Sequence, residues 1–364
     1  MPLRCVALAA LLVLGVPASV GAIEGGSVSS DLSFNGTGRN PNNPRTGALS
    51  CTVTGALELT DRVAAELSLG ATASLPTRAV AGESFGARGG TVLTLAPAFD
   101  FQLSDHFYLG LSGFVSPKST LRADSQMSFE ALNVPVAADV LLESKTASQG
   151  LHLLAGFDTD GESNLETSIA AGVAAMHLAT EQRILAVRGP AGREFKTEDI
   201  LTYCATHVCT RQMVALLESV GAADLWQLGL SLSLIETLFQ STEVGLSFSY
   251  FLYDHDPTEV GYFSLASVGR SSVSFGDGVP LAPMHWSLRP EASHRFGNLQ
   301  LRVWYQRTRY VADEGHGDVV GLKAQYRLSK SWRLSLTASG AQEKDAEGNG
   351  SRAGTVAVGV KWRF

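Results

Sequence analysis

The last nine residues of the chain, VAVGVKWRF (Val356–Phe364), alternate between apolar side chains and small or basic ones. Apolar side chains occupy every second position and end on Phe364, while Lys361 and Arg363 fall between them. Successive side chains of a β-strand point to opposite faces, so this strand has one apolar face and one small, basic face. Such alternation, running to a terminal aromatic residue, indicates the closing strand of a membrane barrel.

The same period-two alternation recurs along the chain in runs of about ten residues that end at turns, which is the signature of transmembrane β-barrel strands. A soluble β-sandwich also alternates, but its enclosed core needs apolar inward side chains. Here the second face is rich in Ser, Thr, Gln, Lys and Arg, which fits a wet lumen opposite a lipid-facing surface. Clear examples are NLQLRVWYQ (298–306), GLKAQYRL (321–328) and WRLSLTA (332–338).

These runs predict an all-β fold, a transmembrane antiparallel β-barrel of about 16 strands, with 14 to 18 allowed. Two of the candidate strands, 182–188 and 271–275, are weak. Short connections alternate with long polar ones, as expected for periplasmic turns and extracellular loops. The predicted long connections are 36–47, 75–90, 118–126, 312–317 and 343–353.

Residues 1–22 have the features of a secretory signal peptide, with Arg4 before an apolar run of about a dozen residues and small residues at 20–22. The remaining residues, 23–364, are predicted to form the barrel as a single domain. The chain has 35 acidic and 28 basic residues, which argues against nucleic acid as a partner.

Residues 190–224 interrupt the strand pattern and predict a long loop with one or two short helices. Thr197 is a candidate helix N-cap, and the segment around Leu217 follows helical spacing. In an exported chain, Cys204 and Cys209 are expected to form a disulfide that pins this loop. A metal site that adds His207 is the alternative, although structural sites normally need four ligands. The loop is either a constriction folded into the pore or an ordered extracellular cap.

A signal peptide, alternating strands and a terminal Trp-x-Phe resemble the bacterial outer-membrane β-barrel proteins, broadly the porin-like class. The resemblance implies a location in the outer membrane of a Gram-negative bacterium, in contact with its lipid. It also implies that the barrel-assembly machinery recognises the terminal strand at Val360, Trp362 and Phe364. Porins are often trimers, so the resemblance allows a homo-oligomer.

Basic side chains concentrate on the polar face of the last strands. If the barrel closes, they form a positive stripe on one wall of the lumen, and such a stripe attracts anions. The predicted anion pathway consists of Arg289, Arg302, Lys323, Arg327 and Arg333. Further bases on this face are Arg295, Lys361 and Arg363, some of which are rim charges in the alternative interpretation.

Three functions follow from these patterns. The first is a porin-like channel for passive diffusion of small polar solutes, with a hypothesis of anion preference. The second is a structural or surface-interaction barrel with a plugged lumen. The third and weakest is a rim hydrolase that uses Asp254, His255 or Asp256, since a carboxylate–histidine pair can activate water. We predict that the protein is not an enzyme and needs no cofactor or metal.

Overall fold

The computed structural model describes most of the chain from residue 25 onward. The predicted signal peptide (1–22) and the candidate strand 271–275 lie outside the described residues, so both stay predictions. The described residues are 25–37, 47–75, 90–131, 134–159, 165–188, 193–209, 211–218, 221–255, 284–311, 315–345 and 350–364.

The described residues form β-strands with two short helices between the seventh and ninth strands of the chain. Neither of these two helices is long and apolar enough to cross a membrane. In chain order the elements are β1 (Gly26–Thr37), β2 (Gly47–Thr60), β3 (Val63–Leu75), β4 (Thr91–Gln102), β5 (Phe107–Ala131), β6 (Val134–Asp158), β7 (Leu165–Arg188), β8 (Glu194–Lys196), α1 (Thr197–Cys204), α2 (Arg211–Glu218), β9 (Gly221–Leu238), β10 (Thr242–Tyr253), β11 (Met284–Phe296), β12 (Leu299–Tyr310), β13 (Gly315–Arg327), β14 (Trp332–Asp345) and β15 (Gly350–Arg363).

The sheet closes on itself as an antiparallel barrel. The first and last strands pair along their length, from Ser27 with Arg363 to Thr37 with Ala353. β7 pairs with both β6 and β9, and the short strand β8 pairs only with the last three residues of β7. Within the part of the chain that the structure describes, 14 strands therefore form the closed barrel, which confirms the fold class.

The predicted number of 16 strands was too high because β5, β6 and β7 are unusually long. They contain 25, 25 and 24 residues, against 12 to 14 for most of the others. Residues 182–188, read from sequence as a separate strand, are the far end of β7. The predicted loop 118–126 was also wrong, because these residues continue β5 and pair with β6.

Turns of a few residues join the strands at one end of the barrel, for example at Gly297–Asn298, where Gly297 has a positive φ of 58°. Long connections, 38–46, 76–90 and 254–283, join strands at the other end. Outer-membrane barrels have short periplasmic turns and longer extracellular loops, so the two ends can be assigned. The beginning of β1 and the end of β15 both lie at the periplasmic end.

The outer face of the barrel is apolar along the middle of the strands. Leu93, Leu95 and Phe99 of β4 are exposed, as are the alternate leucines of β9. Aromatic side chains border this belt at both ends, as interface girdles do. Trp332 and Trp362 stack with ring centroids 6.2 Å apart at the periplasmic border, and Trp226 lies at the extracellular one. This surface fits lipid and confirms an outer-membrane β-barrel, the predicted location.

The long strands β5–β7 project beyond the belt at the extracellular end. The additional residues, about 11 per strand, correspond to roughly 35 Å of strand. We call this part the extension; it comprises residues 118–131, 134–146 and 181–188. Its described side chains include an ion pair of 3.0 Å between Lys118 and Glu181.

Residues 193–218, which contain β8, α1 and α2, pack against the extension and are called here the helical cap. Leu217 of α2 is buried against Val140 and Ile184, with Ile200 and Leu201 of α1 at the edge of this cluster. Ile184 has the same strand parity as the inward-facing Leu178. The cap therefore covers the lumen side of the extension.

The predicted loop 190–224 is correct in being partly helical, but β9 begins at Gly221, so its last residues belong to a strand. Thr197 is not an N-cap. It is the first residue of α1, and its hydroxyl donates to the carbonyl of Ile184 at 2.8 Å, which ties the cap to β7.

Candidate functional site

The candidate site is the inner wall of the barrel, whose residues follow from strand parity and register. One part of this wall, which we call the apolar sector, is formed by β5, β7 and β9–β12 toward the extracellular end. Leu178 and Leu225 are direct partners across β7 and β9, and each is almost completely buried. All members of the sector are buried: Phe114, Met176, Leu178, Leu225, Phe251, Met284 and Tyr310.

The polar side chains of Tyr253 and Gln227 lie at the apolar sector and bond to one another, while the buried Oε1 of Gln227 has no hydrogen-bond partner among the described residues. The Tyr253 hydroxyl donates to the carbonyl of Met284 at 2.9 Å and accepts from the Gln227 amide at 3.0 Å. Phe251, Met284 and Tyr310 form one cluster with Tyr253 at its edge. Because a paired hydroxyl costs little to bury, the Tyr253 hydroxyl is accommodated on an inner face that is mainly hydrocarbon and is itself buried.

A second part of the wall, on β10–β13, lies closer to the periplasmic end and is charged, and its cations Arg289 and Arg302 have acidic partners. The guanidinium of Arg289 lies 3.1 Å from the Glu291 carboxylate and 5.1 Å from the centroid of the Trp304 ring. Arg302 approaches Glu291 at 3.6 Å and Glu243 at 3.5 Å. This charged sector is an interlinked network rather than a row of free cations.

A third group of bases lies at the periplasmic end of the same wall. Arg327 and Arg333 are direct partners across β13 and β14, and Arg333 is the direct partner of Lys361 on β15. Arg295 of β11 lines a pocket together with the two arginines. We call Arg295, Arg327, Arg333 and Lys361 the basic arc.

The five residues of the predicted anion pathway all fall on the inner parity of their strands, but the structure does not join them into one stripe. Arg289, Arg302 and Lys323 belong to the charged sector, where Lys323 also acts electrostatically on Asp31 of β1. Arg327 and Arg333 belong to the basic arc. Their role in anion passage stays a prediction.

The apolar sector was missed from the sequence. In the stretch AGVAAMHLAT (171–180), residues on the lumen parity include Met176 and Leu178, whereas the lipid parity carries Val173 and His177. Both faces of this segment are partly apolar, so alternation does not separate them. An inward face without Ser, Gln or Lys was nevertheless a signal that this part of the lumen is not wet.

The predicted disulfide between Cys204 and Cys209 is confirmed; it closes the C-terminal end of α1. Because both thiols are consumed, the alternative metal site with His207 is wrong. Among the described residues, no group of three potential ligands could hold a metal ion. The ring of His207 instead stacks on Tyr203, with centroids 3.9 Å apart.

Asp254 and His255, the candidates for a rim hydrolase, do contact one another at 2.9 Å. The same carboxylate oxygen of Asp254 accepts the backbone N–H of Trp226 at 3.1 Å, so it ties the end of β10 to β9. Both side chains are exposed at the extracellular end. Asp256 lies outside the described residues. This geometry serves a strand terminus and gives no specific support to hydrolysis.

The predicted assembly signal closes the barrel. Val360 and Trp362 project from the outer face of β15, while the Phe364 ring lies against Gly26 at the start of β1. The Phe364 backbone N–H donates to the carbonyl of Gly26 at 3.1 Å. Recognition by the assembly machinery stays a prediction, as does a homo-oligomer.

Comparison with known structures shows that the chain shares its fold with outer-membrane β-barrel proteins. It is similar to the TodX deltaS2S3 mutant monoaromatic hydrocarbon channel, with a TM-score of 0.55 and 11% identity over 94% of this chain and 91% of that one. It is similar to the Ralstonia pickettii toluene transporter TbuX, with a TM-score of 0.54 and 10% identity over 94% and 90%. A Pseudomonas aeruginosa FadL homologue gives 0.51 and 11% over 93% and 89%. At these identities the likeness shows a shared fold. No protein-family model and no curated protein matches the sequence.

Proposed function

We propose that the protein is an outer-membrane channel for small, largely apolar solutes. The observation that carries this proposal is the apolar sector, where seven buried side chains face inward. The outer face of the barrel is already apolar where it contacts lipid, so membrane insertion does not require these inward side chains. An apolar wall offers no favourable contacts to a lumen that holds only water and polar solutes. The chemistry named in the descriptions of TodX and TbuX, a monoaromatic hydrocarbon and toluene, agrees with this proposal.

The energetics suit a channel rather than a tight receptor. A single aromatic ring that buries about 150 Å² of apolar surface gains on the order of 4 kcal/mol. Part of this is lost to the entropy of binding, so affinity stays weak. Weak, favourable binding is what passage needs, because a solute must enter the lumen and also leave it.

The earlier hypothesis of a porin for polar or anionic solutes has less support, because the cations of the charged sector are neutralised by Glu243 and Glu291. It stays the second candidate, since the charged sector offers a polar route along β10–β15. A plugged, structural barrel is favoured only if no solute enters. That the protein is not an enzyme stays a prediction.

The test is uptake by cells of a channel-deficient host. Cells that produce the protein should take up radiolabelled toluene several-fold faster than cells with empty vector. Met176→Ser combined with Leu178→Ser should remove most of this gain, because it makes the apolar sector polar. Val319→Ser is the matched control, since Val319 has inner parity on β13 outside the sector.

Equal amounts of folded protein in the outer membrane must be verified for each variant. Toluene uptake no faster than in the vector control would refute the proposal. If, at the same time, a neutral sugar entered faster than in that control, the polar-solute candidate would replace it.

A further inference from the structure

The basic arc places like charges directly opposite one another on adjacent strands. Arg327 faces Arg333 across the β13–β14 pair, and Arg333 faces Lys361 across the β14–β15 pair. All three have the inner parity of their strands. Like charges in direct cross-strand register destabilise a sheet unless something neutralises them. The protein maintains three such charges in one row.

Among the described residues, these cations differ from Arg289 and Arg302 in having no acidic partner within ion-pair distance. Arg289 and Arg302 are paired with Glu243 and Glu291. Among the described ion pairs, by contrast, none includes Arg327, Arg333 or any other member of the basic arc.

A pocket lies between three of these bases and a set of amides. Its cavity volume is about 30 Å³, and it is open to solvent at its mouth. Guanidinium groups donate in a fixed fork and side-chain amides donate from their NH₂, so this lining is rich in donors. The residues that line it are Arg295, Gly297, Asn298, Gln300, Gln325, Tyr326, Arg327 and Arg333, with no carboxylate among them.

We propose that this pocket binds a small oxyanion of the phosphate class at the periplasmic mouth of the barrel. Planar guanidinium forks match the oxygens of phosphate, and charge-assisted hydrogen bonds of this kind are the strong ones. The bound anion supplies the negative charge that the row of Arg327, Arg333 and Lys361 lacks. This inference is independent of the proposed passage of apolar solutes, because the pocket lies at the periplasmic end of the barrel, whereas the apolar sector lies toward the extracellular end.

An oxyanion of the phosphate class has two sources at this position: a free phosphate compound in the periplasm, or the phosphate of a lipid headgroup. The inner parity of Arg327 and Arg333 favours the free anion, because lipid lies against the outer face. The two sources are separated by a competition experiment, described below.

The test is calorimetric titration of inorganic pyrophosphate into the full refolded barrel in a non-ionic detergent. Wild-type protein should bind with one site per chain. The double variant Arg327→Gln, Arg333→Gln should bind at least tenfold more weakly. The matched control is Lys344→Gln with Arg352→Gln. It also removes two positive charges, but from exposed side chains at the extracellular end.

Folding of each variant is checked by heat-modifiable migration on a gel, so that loss of binding cannot reflect an unfolded barrel. Adding phosphatidylglycerol to the micelles distinguishes the sources: displacement of pyrophosphate assigns the pocket to a headgroup, and unchanged binding assigns it to a free anion. Absent binding in the wild type, or equal binding in both double variants, overturns the proposal.

Discussion

The indole ring of Trp304 lies across Gly321 of the neighbouring strand, in the space that a β-carbon on Gly321 would occupy. The two residues are direct register partners of β12 and β13. The guanidinium of Arg289 rests over the same ring, at 5.1 Å from its centroid. The glycine thus allows the ring to lie close against the barrel wall and to carry a cation. The same arrangement recurs at two other pairs of the inner face: Phe114 over Gly150 and Tyr108 over Gly156.

Gly321→Ala should therefore destabilise the barrel by about 1 to 3 kcal/mol, the usual cost of overpacking. The added methyl forces the Trp304 ring away from the wall and disturbs its contact with Arg289. Urea unfolding in detergent would measure the loss.

Gly340→Ala is the matched control for this prediction, since nothing lies within 4 Å of a β-carbon at Gly340. It should be neutral or slightly stabilising, because alanine restricts the unfolded chain more than glycine does. Equal destabilisation by both substitutions would show that the Trp304 contact is not the cause.

Glu143 supports the extension through two arginines. Its side chain is buried between Arg122 and Arg183, at 2.8 and 2.7 Å. Burial opposes ionisation of this carboxyl, but the hydrogen bonds and charges of the two arginines outweigh it and hold the pKa of Glu143 below its ordinary value. Glu143→Gln should weaken the local stability of the extension by about 1 to 3 kcal/mol.

The same pair predicts a pH dependence. Because the folded pKa of Glu143 is lowered, its contribution is complete above the ordinary range near 4.3 and is lost as the pH falls through the lowered value. Amide hydrogen exchange in 139–146, corrected for intrinsic rates, should show protection falling below about pH 4 in the wild type. Glu143→Gln should lack this step; a step of equal size in the variant would exclude Glu143 as its cause.

The disulfide should stabilise the helical cap without stabilising the barrel. Cys204 and Cys209 are five residues apart, and closing so short a loop contributes roughly 2 kcal/mol in the chain-entropy model. Replacing both with serine should speed amide exchange in α1 and leave β14 unchanged. Faster exchange in β14 as well would mean that the cap and the barrel unfold together.

Loosening the cap should increase entry of solutes if the protein is a channel. Leu217 is buried against Val140 and Ile184, so Leu217→Ser removes much of the contact that holds α2 to the extension. Such a change in a buried cluster costs about 2 to 5 kcal/mol. The initial rate of toluene uptake should rise at least twofold. The exposed Thr202→Ser on α1 is the control, and a rate unchanged in both variants would show that the cap does not limit entry.

Much of the barrel was predictable because lipid imposes a strict two-residue period on each strand. The runs at 298–306, 321–328 and 332–338 lie in strands β12 to β14, and their apolar residues face outward as predicted. The strand number was not predictable to the same precision, because no lipid contact constrains the extension. There charged and polar residues interrupt the alternation, as at Lys118 and Glu181, so that one long strand has the sequence pattern of two shorter ones.

The site was predicted less well than the fold. Parity placed Arg302, Lys323 and Arg327 on the inner face, but it did not show that Glu243 and Glu291 come from other strands to neutralise some bases and not others. The apolar sector was missed for a related reason. Its members are one or two residues from each of several strands, and no single segment of sequence contains the pattern.

By itself, the sequence determined that this chain is a closed outer-membrane β-barrel with a disulfide-pinned helical loop, because strand period, turn length and the Cys204–Cys209 spacing are local properties. Only the tertiary structure decided which lumen residues meet. The cross-strand register, set by hydrogen bonding between distant segments, brings Leu178 to Leu225 and aligns Arg327 with Arg333. That register groups apolar side chains toward the extracellular end and charged ones toward the periplasmic end, and among the described residues it leaves one row of cations without acidic partners.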